Sequence, residues 1–155
     1  MSYTLSTRSL ERLNGVNESL VNIVKIAIKT TKVDFGVTCG LRTKSEQAEL
    51  VKKGASQTMN SRHLPQEATG MSHAVDLVAY ISGRVSWELN LYDDIADAIK
   101  DAAINEGATI RWGAAWHKNL TDSEGSAESL MNEYIDLRRS QGRRPFIDAP
   151  HFELA

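Results

Sequence analysis

A carboxylate lies inside a short apolar segment near the middle of the chain. Residues 74–81 read AVDLVAYI, which predicts a β-strand, and Asp76 stands in it between Val75 and Leu77. A charged group in such a setting must be paired, hydrogen-bonded or bound to a metal, because burying an unpaired charge is costly. The strand therefore predicts either a buried salt bridge or a metal site around Asp76.

Segments with helical and strand patterns follow one another along the chain without regular alternation. Apolar spacing and capping residues predict helices over residues 9–29, 44–53, 90–106 and 126–139. Apolar runs predict further strands at residues 33–38, 108–112 and 152–154. This mixture predicts an α+β fold with a small sheet and flanking helices, formed by one domain over residues 1–155. Residues 55–72 are rich in Gly, Pro, Ser, Asn and Thr and predict a long loop, a kind of segment that is often functional.

Composition argues against several classes of protein. The chain has a net charge of −2 and no long basic run, which argues against nucleic-acid binding. No apolar run approaches the roughly 20 residues that span a bilayer, and the N-terminus lacks the layout of a signal peptide, so we expect no stable membrane association. The single cysteine, Cys39, excludes an internal disulfide, and its apolar surroundings predict a small buried side chain.

The chain has four histidines that could bind a metal: His63, His73, His117 and His151. A catalytic zinc ion takes about three protein ligands and keeps an open position for water. His73 and Asp76 are three residues apart on the predicted strand, and because side chains alternate they point to opposite faces. His63, in the preceding loop, is free to reach Asp76. Composition alone leaves the choice of ligands open.

The segment from Ser61 to Asp76 resembles the first metal-binding signature of the VanY-like D-Ala-D-Ala and L-Ala-D-Glu metallopeptidases. Ser61-Arg-His63 and the later Ala-Val-Asp76 are similar to the S-x-H and A-x-D parts of that signature, with Gly70 between them. The family usually spaces the histidine and the aspartate seven residues apart, whereas the spacing here is thirteen. The extra residues lie in the predicted loop, where they can bulge outward, but they leave His73 as a rival ligand.

Other segments resemble the same family. Asp148-Ala-Pro-His151 is similar to its second metal motif, in which a carboxylate stands three residues before the last histidine ligand. Residues 40–47, GLRTKSEQ, are similar to a G-x-R-[ST]-x-x-x-Q segment, and residues 112–116, WGAAW, to a W-G-G-x-W segment with one glycine replaced. Residues 54–58, GASQT, precede the S-x-H motif as they do in phage endolysins of the family.

The resemblance implies a hedgehog/D-Ala-D-Ala-peptidase-like zinc fold, in which a short antiparallel sheet lines the site. It also implies that Zn²⁺ is held by His63, Asp76 and His151. It assigns the general base to Asp148. Glu153 is the competing choice, because it stands two residues past His151 and so on the same face of a strand. The alternative role for Glu153 is to hold a histidine ligand in orientation.

Further residues are predicted to contact the substrate. Arg42 is the predicted partner of a substrate carboxylate or of the developing oxyanion, because its planar fork suits both. Ser61, Gln47 and Trp112 are the other predicted contacts. A turn role for Ser61, and core packing for Trp112 and Trp116, stay open as alternatives.

The resemblance implies a monomeric phage endolysin that hydrolyses the L-Ala–D-Glu bond of the peptidoglycan stem peptide. Without a signal peptide, we expect the protein to stay in the host cytoplasm until lysis and then to reach the cell wall in the periplasm. Two alternatives stay open: a D-Ala-D-Ala carboxypeptidase, and a non-catalytic zinc-holding module that binds the wall.

Overall fold

The structure is a computed structural model and describes residues 2–155. Its helices are α1 (Thr7–Arg12), α2 (Glu18–Thr30), α3 (Lys44–Lys52), α4 (Leu89–Glu106) and α5 (Ala127–Ser140). Its strands are β1 (Asp34–Cys39), β2 (Ala74–Ile81), β3 (Arg84–Ser86), β4 (Ile110–Trp112) and β5 (His151–Leu154). A short 3-10 helix spans Leu120–Asp122.

The strands form one antiparallel sheet in the order β1-β2-β5-β4, and β3 pairs with the far end of β2. The predicted α+β fold with a small antiparallel sheet is confirmed. The four predicted strands are present, with bounds that differ by at most two residues. Strand β3 was not predicted. It forms a hairpin with β2 through Ser82 and Gly83, whose φ values of 51° and 76° suit a tight turn.

Side-chain alternation gives the sheet one polar and one apolar face. The register pairs Asp76 with Cys39 on β1 and with His151 on β5, so these three side chains share a face. The alternate positions face the core and are fully buried, among them Val75, Leu77, Trp112 and Phe152. Helices α2 and α4 pack together in the same core. One face of the sheet therefore packs on the core, and the other face carries the polar groups.

The predicted single helix over residues 9–29 is wrong, because the chain breaks between α1 and α2. Gly15 adopts a φ of +83°, and Asn17 begins α2 by accepting from the backbone N–H of Ser19 at 3.0 Å. The break also contacts the loop before β2. The Ser72 N–H donates to the Gly15 carbonyl at 2.9 Å, and the Asn17 N–H donates to the Ser72 carbonyl at 2.8 Å. These bonds anchor the end of the loop that leads into β2.

Capping residues bound the helices, and the predicted long loop is confirmed. Helix α3 begins with a capping box in which Thr43 and Glu46 each accept from the other's backbone N–H. Helix α4 ends at Gly107, which adopts the left-handed conformation. Among residues 2–155, no helix is long and apolar enough to cross a bilayer. Residues 55–72, all of which the structure describes, contain no helix or strand.

Candidate active site and metal centre

An open cleft of about 750 Å³ lies where the polar face of the sheet meets the long loop. The loop contributes residues 54–58 and 60–63, and the strands contribute Asp76, His151 and Glu153. The cleft therefore collects, from distant parts of the sequence, most of the polar side chains that the motifs single out.

Asp76 is the centre of this cluster. Its Oδ1 lies 3.2 Å from Nε2 of His63 and 3.2 Å from Nδ1 of His151. Its Oδ2 lies 3.7 Å from Nη2 of Arg42. The negative charge of Asp76 lies in an apolar strand and needs partners. Two imidazoles and a guanidinium supply them.

Each of the two histidines is held by its other ring nitrogen. Nδ1 of His63 donates to the carbonyl oxygen of Gly40 at 2.8 Å, because a carbonyl can only accept. Nε2 of His151 donates to Oε1 of Glu153 at 2.8 Å. These bonds fix the ring orientations and turn the remaining nitrogens toward Asp76, as the outer partners of metal-binding histidines do. Sequence reasoning gave Glu153 this orienting role as an alternative, but it did not find the Gly40 carbonyl.

The charges of the cluster are strongly coupled. Burial disfavours the charged form of His63, but its interactions with Asp76 and Cys39 together outweigh burial and raise its pKa to about 10. Burial likewise opposes charging of His151, yet bonds to Asp76 and Glu153 raise its pKa to about 9. Burial opposes ionisation of Asp76, but the two histidines hold its pKa well below the usual range. A cation is therefore strongly favoured beside Asp76, and a metal ion would have to displace protons from the imidazoles.

Two overlapping groups of side chains have donor atoms within 4.8 Å of one another. One contains Cys39, His63 and Asp76, and the other contains Asp76, Asp148 and His151. The predicted ligands His63 and His151 belong to different groups that share Asp76. Imidazole nitrogen, carboxylate oxygen and thiolate sulfur are all donors that zinc accepts, so the cluster suits a divalent ion of that kind.

Cys39 is not the buried apolar side chain that the sequence predicted. It is half-buried, and its Sγ lies 3.7 Å from Nδ1 of His63 and 3.3 Å from Nη2 of Arg42. Burial acts to raise the pKa of this thiol, but His63 and Arg42 together lower it. His63 is 24 residues from Cys39 and could not be foreseen as its partner, but Arg42 stands only three residues along the chain and was overlooked.

Asp148 is brought to the cleft by a close approach of two backbone segments. The Asp148 N–H donates to the Gly113 carbonyl and the Gly113 N–H donates to the His151 carbonyl, both at 2.8 Å. A Cβ at position 113 would collide with the Asp148 carbonyl oxygen, which explains the glycine of the WGAAW segment. Burial and the nearby Asp76 raise the pKa of Asp148. Asp148 is therefore a carboxylate with increased basicity at the cleft.

Arg42 reaches the cleft as predicted, but Gln47 does not. Gln47 is completely buried. Its Oε1 accepts from Nη1 of Arg42 at 2.7 Å, and its Nε2 donates to Oγ of Ser56 at 2.8 Å and to the Thr58 carbonyl at 2.6 Å. The prediction that Gln47 contacts substrate is corrected, because its polar atoms hold Arg42 and the loop instead.

Trp112 is also corrected from a substrate contact to a core residue. It is fully buried, stacks on Phe152, and donates from Nε1 to the Ala149 carbonyl at 2.8 Å. Trp116 lines the cleft in its place and stacks against Phe146, a residue that the sequence did not single out. Ser61 lies at the cleft, where its Oγ accepts from the His63 N–H at 3.1 Å.

The remaining histidines lie outside the cluster. Nε2 of His73 lies 2.8 Å from Oγ1 of Thr69, and His73 belongs to neither candidate metal group. Nε2 of His117 lies 2.9 Å from Oε1 of Glu133. The structure therefore does not support His73 as the rival ligand.

A cleft that holds two oriented histidines, a shared carboxylate and a second, more basic carboxylate is typical of hydrolases that use a metal ion. The sequence model of the phage L-alanyl-D-glutamate peptidase family matches residues 1–155, and the chain therefore belongs to this family of peptidases. The predicted family and the prediction of an enzyme are confirmed.

Two relatives illustrate the similarity. The chain is 26% identical over 121 residues to an L-alanyl-D-glutamate peptidase of Escherichia phage T5, an overlap of 76% of this chain and 84% of that protein. It also resembles the crystal structure of the Serratia marcescens L-Ala D-Glu endopeptidase ChiX, with a TM-score of 0.72 and 34% identity. That match covers 100% of this chain and 90% of the other.

Proposed function

We propose that the protein is a zinc-dependent endopeptidase that hydrolyses the L-Ala–D-Glu bond of bacterial peptidoglycan. The observation that carries the proposal is the position of Asp76 between Nε2 of His63 and Nδ1 of His151, each 3.2 Å away. The choice of bond is supported by the family and by the names of the two relatives.

His63, Asp76 and His151 are the residues that would hold the ion. Zinc supplies Lewis acidity, which activates water and polarises a peptide carbonyl. Gly40 and Glu153 keep the two rings in place without using the nitrogens that face Asp76. The site is thereby organised before any ion binds, which limits the reorganisation that binding requires.

Asp148 is the proposed general base. It lines the cleft, its pKa is raised by burial and by Asp76, and no hydrogen bond contributes to the pKa of its carboxyl. Glu153 is less suited, because its Oε1 already accepts from Nε2 of His151 at 2.8 Å. A base must be free to take a proton from water and give it to the leaving amine, and of these two carboxylates Asp148 meets that requirement better.

Arg42 is the proposed stabiliser of the oxyanion. Its Nη2 lies 3.7 Å from Oδ2 of Asp76, and so beside the place where the reacting carbonyl would be activated. Gln47 holds the other end of the guanidinium at 2.7 Å. A donor that is fixed before the reaction stabilises developing negative charge without a further cost of reorganisation.

The same proposal includes a biological role. A phage peptidase of this kind would accumulate as a monomer in the host cytoplasm and reach the wall at lysis. The support for this role is that the chain belongs to a family of phage peptidases.

The decisive experiment is digestion of purified peptidoglycan followed by mass spectrometry of the fragments. New D-Glu amino termini, lost after chelation and restored by Zn²⁺, are expected. Asp76→Asn is the matched inactive control. Release of free D-Ala with the L-Ala–D-Glu bond intact would show a carboxypeptidase, and wall binding without any cleavage would show a binding module.

A further inference from the structure

The proposed substrate carries an anion next to the bond that is cut. A glutamate residue has two carboxyl groups, and only one of them continues the peptide. The other is free, and because a glutamate carboxyl has a pKa of about 4.3 it is ionised at neutral pH. The D-Glu residue on the leaving side of the proposed bond therefore presents a carboxylate that the cleft has to accommodate.

Arg42 is poorly placed to bind this carboxylate. Its side chain is only 14% exposed, its Nη1 donates to Gln47, and its Nη2 donates to Cys39. Its Nη2 also forms an ion pair with Oδ2 of Asp76 at 3.7 Å. A guanidinium with these partners can stabilise an oxyanion beside Asp76, but it has few donors left for a second anion.

Arg62 is the other arginine that lines the cleft, and its side chain is 43% exposed, against 14% for Arg42. Its Nε forms an ion pair with Oε2 of Glu153 at 3.7 Å, which is beyond hydrogen-bond distance. Glu153 uses its other oxygen to hold His151. Glu153 therefore lies between Arg62 and His151, one of the proposed metal ligands.

The residues inserted after His63 hold Arg62 in this position. Oε1 of Gln66 accepts from Nη1 of Arg62 at 3.3 Å. Nε2 of Gln66 donates to the Leu64 carbonyl at 2.8 Å and to the Ser61 carbonyl at 3.2 Å. Gln66 thus ties the arginine to the loop through a neutral amide, which orients the guanidinium without neutralising it.

We propose that Arg62 binds the free carboxylate of the D-Glu residue on the leaving side of the scissile bond, and so selects substrates in which this carboxylate is not amidated. The inference rests on the proposed function. It leaves Arg42 to the oxyanion, so that each anion has its own arginine. A bidentate pair between guanidinium and carboxylate supplies both the affinity and the discrimination.

The test compares two synthetic peptides. One contains L-Ala–D-Glu with the free carboxyl, and the other has this carboxyl converted to a primary amide. We expect Arg62→Gln to lower kcat/KM for the acid peptide about tenfold to a hundredfold, mainly through KM, because a charge-assisted bond is lost. Cleavage of the amide peptide should stay unchanged, which shows that the metal site and the fold are intact.

Arg111→Gln is the matched control. Nη1 of Arg111 lies 4.0 Å from Oε2 of Glu153, the same oxygen that Arg62 faces, but Arg111 does not line the cleft. It should keep the preference of the wild type for the acid peptide. Equal losses in both variants, on both peptides, would mean that Arg62 acts only through Glu153 and would overturn the assignment.

Two results in the wild type separate this inference from the proposed function. Equal kcat/KM for the acid and amide peptides, with cleavage at L-Ala–D-Glu, overturns the role of Arg62 and leaves the proposed function standing. Cleavage at a different bond overturns both. Gln66→Ala provides a further check, since it should raise KM for the acid peptide alone if the loop positions Arg62.

Discussion

Asp76 on β2 and His151 on β5 are directly opposite each other in the antiparallel register, and Oδ1 of Asp76 lies 3.2 Å from Nδ1 of His151. The sheet register therefore fixes this half of the proposed metal site. Because side chains alternate, a slip of one residue in β5 would send His151 into the core and bring Phe152 to the cleft. His63, by contrast, depends on a loop and on the Gly40 carbonyl.

The first prediction concerns the metal ligands. His63→Ala should lose bound zinc, because it removes one of the two imidazoles beside Asp76. His73→Ala should keep it, because His73 faces Thr69 instead. Metal analysis of the purified variants by mass spectrometry measures both. Zinc retained in His63→Ala and lost in His73→Ala would contradict the assignment.

The second prediction concerns Cys39, which belongs to one of the two candidate groups. If His63, Asp76 and His151 hold the ion, Cys39→Ala should bind zinc at the same stoichiometry as the wild type. The absorption spectrum of the cobalt-substituted protein gives a second measurement, since a thiolate ligand adds an intense charge-transfer band. Such a band in the wild type, absent from Cys39→Ala, would show that the thiol is a ligand.

The third prediction separates the two carboxylates near the site. Asp148→Asn should keep the metal and the fold but lose activity by about 10²–10⁴-fold, the range of a general base. Glu153→Gln should chiefly weaken zinc binding, by about 10–100-fold, because it removes the acceptor that holds His151. Peptide hydrolysis at saturating zinc distinguishes the two. Full activity of Asp148→Asn under these conditions would assign the base elsewhere.

The fourth prediction tests the close approach at Gly113. Gly113→Ala should destabilise the protein by about 1–3 kcal/mol and reduce activity, because the new Cβ presses on the Asp148 carbonyl and lies 3.0 Å from Cβ of His151. Gly125→Ala is the control, since its Cβ would meet mainly the Ser129 hydroxyl, which can rotate. Urea unfolding and peptide hydrolysis are the measurements. Similar effects of the two changes would argue against a special constraint at Gly113.

The fifth prediction concerns Asp93 on α4, away from the cleft. Its Oδ1 is buried and has no hydrogen-bond partner among residues 2–155. Burial and the carboxylates of Glu128 and Asp97 raise its pKa to about 6, from 3.8. The ionised side chain therefore lowers stability above about pH 6, and this penalty disappears as the pH falls toward 3.8.

Asp93→Asn should accordingly stabilise the protein by about 1 kcal/mol at pH 8. The gain should shrink as the pH is lowered and vanish near pH 4. Urea unfolding of both proteins across this range measures the difference. A gain that does not depend on pH would mean that the carboxyl of Asp93 does not titrate as described.

The sheet was largely predictable because four of its strands coincide with short apolar runs of the sequence. Residues 74–81 are apolar enough to give β2 its observed bounds, and Asp76 is conspicuous there as the one charge. The helix over residues 9–29 failed for a related reason. Its apolar spacing continues through Gly15, so the pattern did not show that the backbone turns there to pair with Ser72.

The partners of the site residues were not predictable in the same way. The carbonyl of Gly40 orients His63 from 23 residues away, and Gly113 meets Asp148 through backbone atoms alone. Backbone groups have no side-chain signature, so no sequence pattern reveals them. Gln47 was misplaced for a different reason: a motif can show that a glutamine belongs near Arg42, but not that it is buried beneath it.

The position of β5 within the sheet has a consequence for when the protein becomes active. β5 is the last of the five strands in chain order, yet it lies between β2 and β4 and carries His151. During synthesis the ribosome releases every other strand first, so the nascent chain has Asp76 but lacks its partner on β5. A nascent chain that still lacks β5 therefore cannot assemble the proposed metal site, however much of the rest has folded.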